Sequence, residues 1–312
     1  MTEKTVILGY GPVGKAIAAQ LSAEGRAVTI AQRSPPAALP AGVAFEACDA
    51  LDGEALSRVV DGASAVVCTI GLRYDAAVWE RDWPKLMTNM LEACAAAKAR
   101  LVFIDNVYMY GPQVKPLAED MPMAATGRKG RVRAAITRQW QEVHQAGRVR
   151  TAALRAPDFY GPGVTLSIFG DATVGALAAG KAAQLVVKPD VPHAAAHVAD
   201  IARAAILLID ASDDAYGEIW HVPCAPARTP REIIAMAAAK LGVKPRLNAI
   251  PSWLMPVIGL FVPFIREWNE THFQHDRPFL VDSGKFERRF GLKATPLAEG
   301  IAATAESFRK RP

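Results

Sequence analysis

Gly9, Gly11 and Gly14 are the residues most plainly spaced for chemistry. They punctuate Val6-Ile7-Leu8-Gly9-Tyr10-Gly11-Pro12-Val13-Gly14-Lys15-Ala16-Ile17-Ala18, which reads as an apolar strand, a Gly-x-Gly-x-x-Gly turn and an alanine-rich helix. A helix entered this way offers free N–H groups and a positive dipole end, which together bind phosphate. The first glycine permits the tight turn, the second lets a pyrophosphate reach the backbone, and the third lets the helix pack close to its strand. Tyr10, Pro12 and Val13 fill the remaining places in the cradle. Glycine-rich turns are common in themselves; a strand before and a helix after make this one a dinucleotide-binding turn.

The next strand, Arg26 to Ala31, ends in Gln32-Arg33-Ser34. An acid at this place would bind the 2′-hydroxyl of NAD, whereas an arginine accommodates the 2′-phosphate of NADP. No carboxylate is present, and Arg33 is a planar cation suited to phosphate, with Ser34 adding a hydroxyl. The expected cofactor is therefore NADP(H). Asp49, after a third strand at Val43 to Cys48, is placed where its loop meets adenine, and Thr69, Ile70 and Gly71 close a fourth strand where a cofactor would approach.

These residues need a frame to hold them. Further strands are read at Leu101–Ile104, Arg150–Leu154 and Glu218–Val222, with helical spacing over 85–99, 131–145 and 200–209. Val132, Ile136, Trp140 and Val143 form one apolar stripe. Strands alternating with helices predict an α/β fold, a Rossmann-type doubly wound parallel sheet, whose ligands lie beyond the carboxyl ends of the strands. Thr229-Pro230-Arg231-Glu232 is a capping box, Gly242 stops that helix, and Thr295-Pro296 opens the last. Proline and aromatic residues crowd 251–278, which predicts an irregular, apolar C-terminal lobe for substrate, including Trp253, Phe261, Phe264, Trp268, Phe273 and Phe279. The division expected is a cofactor domain over 1–165, completed by 195–225, and a small substrate lobe from 166–194 and 226–312.

Composition narrows the function. A net charge of +5 spread over 312 residues does not fit a nucleic-acid protein. Cys48, Cys68, Cys94 and Cys224 are widely spaced and read as free thiols. The first strand follows Met1-Thr2-Glu3-Lys4 directly, without room for a signal peptide, and the apolar run from Trp253 to Ile265 is short and broken by Pro256 and Pro263. A cytoplasmic protein with a small-molecule substrate, and neither membrane nor nucleic-acid partner, is expected. His193 and His197 invite a metal reading, but no third ligand is evident and no metal is expected.

The chain resembles the extended short-chain dehydrogenase/reductase superfamily, in particular its NAD-dependent epimerase/dehydratase branch. Beyond the glycine turn, the resemblance rests on Tyr110-Gly111, on Arg155 with Phe159-Tyr160-Gly161-Pro162-Gly163, and on His197-Val198-Ala199-Asp200-Ile201-Ala202. Asp282-Ser283-Gly284-Lys285, Phe290-Gly291 and Pro296-Leu297-Ala298-Glu299-Gly300 extend it to the C-terminus. It implies a Rossmann domain with a small substrate lobe, Pro157 near the nicotinamide, and pairing into a homodimer. Two departures stand out. Asn106 replaces the serine or threonine four residues before Tyr110-Gly111, and the Tyr-x-x-x-Lys pair that supplies the proton falls on Gly127 and Arg131.

Other residues must then handle the proton. Tyr108 is the first candidate, since it lies in the loop that resembles the family's substrate-facing loop, with packing or substrate binding alone as the alternative. Asn106 offers hydrogen bonds only. Lys129 and Arg131 lie where the family lysine holds the cofactor ribose, and of Arg128, Lys129, Arg131 and Arg133 two are expected to be solvated. Tyr74, Asp158, Tyr160 and His193 are candidates for substrate contact. The leading reading is an NADP-dependent oxidoreductase that reduces a carbonyl or related unsaturated group. A nucleotide-sugar epimerase or dehydratase is the alternative within enzymology, and a non-catalytic NADP-binding sensor lies outside it.

Overall fold

The computed structural model describes residues 3–310, and the chain divides into two compact units. The first comprises the chain through Asp105, Arg128–Arg155 and Ile201–Trp220. The second comprises Asn106–Gly127, Ala156–Asp200 and the chain from His221 onward.

The first unit is built on β1 (Lys4–Leu8), α1 (Pro12–Ala23), β2 (Ala27–Gln32), β3 (Val43–Ala47), α2 (Gly53–Val60), β4 (Ala63–Cys68), α3 (Ala76–Ala97), β5 (Arg100–Asp105), α4 (Arg128–Gln145) and β6 (Thr151–Arg155). With Ile219–His221 these make a seven-stranded sheet in the order Ile219–His221, β6, β5, β4, β1, β2, β3. All neighbours from β6 to β3 run parallel. Helices cover both faces of such a sheet, so its central strands are apolar without alternation. Val6, Ile7, Val66, Val67, Leu101, Val102 and Leu154 accordingly have no exposed surface. The chain winds from β1 through β2 to β3, then returns to the other side of β1 as β4. That reversal is the crevice where doubly wound sheets bind their ligands.

The strand readings hold to within two residues at each end. One helix does not. α3 begins at Ala76, nine residues before its expected start, and runs through Pro84. Asp75 caps it by accepting from the Val78 N–H at 3.1 Å. Trp79 and Trp83 are buried on the first turns, and that packing outweighs the one backbone hydrogen bond a proline forgoes. α4 likewise starts three residues early, at Arg128.

In the second unit Asp158–Tyr160 pairs in parallel with Ala195–His197, and Ala183–Leu185 with Leu247–Ala249. The helices Pro230–Leu241 and Leu297–Arg309 pack together, the former opened by the Thr229–Glu232 capping box and closed at Gly242. The crowded segment resolves into two short helices, Met255–Phe261 and Pro263–Asn269. Trp253, Leu260, Phe261 and Phe264 stand exposed there, while Trp268 and Phe279 are buried. All four cysteines are free. Burial pushes the Cys68 and Cys94 thiols up to about 12, so neither is reactive. Among the described residues no helix is long and apolar enough to cross a membrane.

Candidate functional site

The glycine turn has the shape its sequence requires. Gly9 takes φ +95°, and its N–H donates to the Ala31 carbonyl at 2.9 Å, tying β1 to β2. A Cβ on Gly14 would lie 2.3 Å from the Gly9 carbonyl oxygen and 2.9 Å from Thr69 Oγ1, so only glycine lets α1 approach the strand this closely. Thr69 locks the same corner: its Oγ1 donates to the Gly9 carbonyl at 2.9 Å, with the Leu8 carbonyl beside it at 3.1 Å. Gly11 differs: no atom lies within 4 Å of where its Cβ would be. It precedes α1 without any side-chain cap, and Pro12 has no N–H to satisfy. The open backbone and uncapped helix start therefore fit a dinucleotide pyrophosphate.

Around this cradle, Gln32 Oε1 accepts from the Tyr10 N–H at 3.1 Å, and its Nε2 donates to the Ser34 carbonyl at 2.7 Å. Gln32 thus braces the turn against the loop that follows β2. Arg33 and Ser34 are exposed in that loop, as is Asp49, whose Oδ1 accepts from the Leu51 N–H. Ile70 is half-buried and Gly71 is exposed at the end of β4.

α4 divides its four early cations evenly. Arg128 and Arg131 are exposed, and Arg128 pairs with Glu80; Lys129 and Arg133 are buried. Lys129 and Arg133 are four residues apart, hence on one helix face. They lie on an aromatic ladder from the neighbouring segments. Lys129 Nζ sits 4.7 Å from the centre of the Tyr74 ring, while the Arg133 guanidinium is 4.6 Å from Trp79 and 4.0 Å from Trp83. Tyr74, Trp79, Trp83 and Phe103 follow edge to face at 5.8, 6.2 and 5.9 Å. Asp105, at the end of β5, receives Arg133 at 3.2 Å and Arg155 at 3.5 Å. Lys129 is therefore a buried cation in an aromatic setting, unlike the solvated lysine of an ordinary helix start.

Within the second unit, Asn106 and Tyr108 are half-buried, and Asn106 Oδ1 accepts from the Tyr108 N–H at 3.0 Å. Tyr110 is fully buried and its hydroxyl lies 2.7 Å from His221 Nε2. Pro157 is buried. Tyr160 has 1 % of its surface exposed, packs on His197 and Phe169, and places its oxygen 2.6 Å from where a Gly300 Cβ would be. It fills the core of this unit instead of facing a cleft.

Asp158 and His193 are brought together: His193 Nε2 is 2.8 Å from Asp158 Oδ2. His275 joins them from 82 residues further along, its Nδ1 3.9 Å from the same oxygen. His197, the other half of the pair in the sequence, packs on Tyr160 at 5.3 Å instead. Burial works to raise the Asp158 carboxyl, but the hydrogen bond and charge of His193, with the charge of His275, bring it below the usual carboxylate range. Burial pushes the His275 imidazole down to about 3. Gly127 is also occupied. A Cβ there would meet Glu270 Oε1 at 2.7 Å and Cγ at 2.9 Å, so the carboxylate side chain fills the space a larger residue would need.

The model of the NAD dependent epimerase/dehydratase family matches residues 5–222. The chain belongs to that family. Solved structures of the same fold include UDP-glucose 4-epimerase from Thermus thermophilus in complex with NAD, at 20 % identity and TM-score 0.78, covering 99 % of this chain and 100 % of that one. UDP-glucuronic acid 4-epimerase from Bacillus cereus, in complex with NAD, aligns at 15 % identity and TM-score 0.79 over 98 % and 99 %. A dTDP-glucose 4,6-dehydratase from Streptomyces venezuelae aligns at 19 % identity and TM-score 0.78 over 99 % and 97 %. No curated protein matches the sequence. In this epimerase/dehydratase-family chain the space beside Gly127 is taken by the Glu270 side chain.

Sequence reading missed Glu270, His275 and the Asp105 cluster. Glu270 and His275 meet their partners only through tertiary packing, and no local spacing announces them. Asp105 had a signal, an acid at the carboxyl end of a buried strand, where an unpaired charge is untenable.

Proposed function

We propose that the protein is a nicotinamide dinucleotide-dependent enzyme that acts on a hydroxyl-bearing carbon of a sugar-type substrate, and that it takes the phosphorylated dinucleotide. The open, uncapped cradle at Gly11 is the observation that carries the cofactor reading. Gly9, Gly11 and Gly14 would hold the pyrophosphate, and Arg33 and Ser34 the 2′-phosphate. A nicotinamide supplies reversible hydride transfer when bound. Family membership and the epimerase and dehydratase activities of its structural relatives favour redox at a sugar carbon over the net carbonyl reduction expected from the sequence.

The chain's own task is to orient the substrate and to move a proton. Asn106 donates a hydrogen bond to a substrate oxygen. Tyr108 and Glu270 are the two groups able to exchange the proton, Tyr108 as the phenol of the loop after β5 and Glu270 as the carboxylate at the tyrosine position. A positioned acid or base contributes about 10²–10⁴-fold. Tyr108→Phe and Glu270→Gln each remove one candidate while keeping its shape. A kcat loss of that size in one variant, with the other near wild type, names the group; wild-type kcat in both removes the assignment. The assay is purified protein with NADP⁺ or NAD⁺ and a panel of UDP- and dTDP-hexoses, followed by product chromatography, and in parallel with NADPH and a panel of aldehydes and ketones, followed by absorbance. A new epimer or a dehydrated sugar supports the proposal. Steady NADPH oxidation by simple carbonyls without any sugar product returns the function to a reductase, and tight binding without turnover on either panel makes the protein a sensor.

Arg33 gives a separate expectation. A charge-assisted contact contributes about 1.5–3 kcal/mol, or roughly 10–100-fold in affinity. Arg33→Ala should raise the Kd for NADPH by that factor and leave NADH within about twofold. Fluorescence titration with both nucleotides measures it, and an equal loss for both would detach Arg33 from the phosphate.

A further inference from the structure

We infer that Asp158, His193 and His275 form a binding site for one divalent transition ion of the zinc type. The donor set is two imidazole nitrogens and one carboxylate oxygen, the combination that holds zinc where a fourth position stays open. The three candidate ligand atoms all lie within 4.8 Å of one another. Asp158 Oδ2 is 2.8 Å from His193 Nε2 and 3.9 Å from His275 Nδ1. An ion bonded at about 2.0–2.2 Å holds neighbouring ligand atoms roughly 3–3.5 Å apart. His275 needs to draw inward, and the other two already sit near that spacing.

An Asp–His ion pair accounts for His193 but not for His275. The Nδ1 of His275 is buried and has no hydrogen-bond partner among the described residues, and the residue is 5 % exposed. A buried polar atom left unmatched is unfavourable, and its distance to Asp158 exceeds hydrogen-bond reach. An ion at the centre of the three atoms satisfies it. The rings are held for the purpose. Trp268 stacks on His275 at 4.8 Å and 9°, His275 on His193 at 5.2 Å and 18°, and the tilted Phe279 ring lies 4.9 Å from His193. Two bonds fix the backbone of His193 and His275: the His193 N–H donates to the Arg228 carbonyl at 3.0 Å and the His275 N–H to the His272 carbonyl at 2.8 Å. The side chain of Asp158 is 27 % exposed, which leaves the fourth position open to water or to an oxygen of a ligand.

The test uses the full chain, stripped with chelator and then titrated with ZnCl₂ by calorimetry and with CoCl₂ by visible absorption. One ion per chain, and cobalt bands of low-symmetry nitrogen and oxygen coordination, are expected. His275→Ala and Asp158→Asn should each weaken zinc binding by at least about 10–100-fold, the range that loss of a mere supporting group already reaches. Circular dichroism confirms that each variant is folded, and the wild-type titration stands without them. Absence of stoichiometric zinc binding by the wild-type chain would overturn the site, as would undiminished binding by both folded variants. Neither readout depends on turnover or on the dinucleotide, so failure here leaves the proposed function intact.

Discussion

Asp105→Ala is expected to destabilise the folded chain by about 3–5 kcal/mol, the range found when one partner of a buried ion pair is removed. Its carboxylate has no exposed surface and lies between the guanidinium groups of Arg133 and Arg155, whose side chains are 6 % and 0 % exposed. Removing it leaves two like charges facing each other without the anion that separates them. Other contacts then hold the strain in place: Arg155 Nη2 donates to Thr137 Oγ1 at 3.0 Å, Thr137 donates onward to the Arg133 carbonyl, and Arg133 is pinned on Trp83. The two arginines have no route to solvent without dismantling α4 from β5 and β6. Urea unfolding measures the effect as a lower midpoint at unchanged slope. A triple variant, Asp105→Leu with Arg133→Met and Arg155→Met, should lose less than the single one, because a buried charge cluster replaced whole by apolar groups is often near neutral. A single-variant loss below about 0.5 kcal/mol, typical of surface sites, would mean that the cluster does not hold these elements.

Gly14 and Gly11 should separate stability from binding. A Cβ on Gly14 would press on the Gly9 carbonyl at 2.3 Å, and that carbonyl cannot retreat because Thr69 and the Gly9–Ala31 bond hold it. Overpacking of this kind costs about 1–3 kcal/mol and shifts the backbone. Gly14→Ala should therefore lower the melting temperature and reduce dinucleotide affinity by about 100-fold or more, since the N–H groups that face the phosphates move with α1. Gly11→Ala meets no atom within 4 Å and Gly11 has an ordinary φ of −73°, so the folded chain should tolerate it. Its methyl group would nevertheless stand in the cradle. The expected result is an unchanged melting curve with a Kd at least about tenfold higher. Wild-type affinity in Gly11→Ala would mean that the pyrophosphate does not lie there.

What the sequence disclosed follows how its signals arise. Apolar runs such as Val6–Leu8 and Leu101–Phe103 are legible because a parallel strand buried on both faces has no alternation to obscure it. The Gly9–Gly14 turn is legible because backbone approach leaves few residue choices. Pro84 concealed the start of α3, since a proline ordinarily marks an end, and only the packing of Trp79 and Trp83 shows why the helix continues. Lys129 and Arg131 differ by two positions, and facing in or out decides their character; the helix start was needed to phase them. Asp158 and His193 were singled out separately, yet their pairing and the arrival of His275 depend on strands and turns far apart along the chain. Glu270 was hidden for the same reason.

The two units interleave along the chain, which crosses between them after residues 105, 127, 155, 200 and 220. No single scission can therefore yield either one intact. A fragment ending near residue 165 would lack Ile219–His221, the neighbour of β6, and would turn β6 into an outer strand. That strand, Thr151–Arg155, is buried along its whole length and bears no charge before Arg155. Its bare amide edge would be a template for pairing with other copies. Recombinant pieces of this protein should therefore precipitate where the entire polypeptide remains dispersed, and tags or insertions belong at its ends.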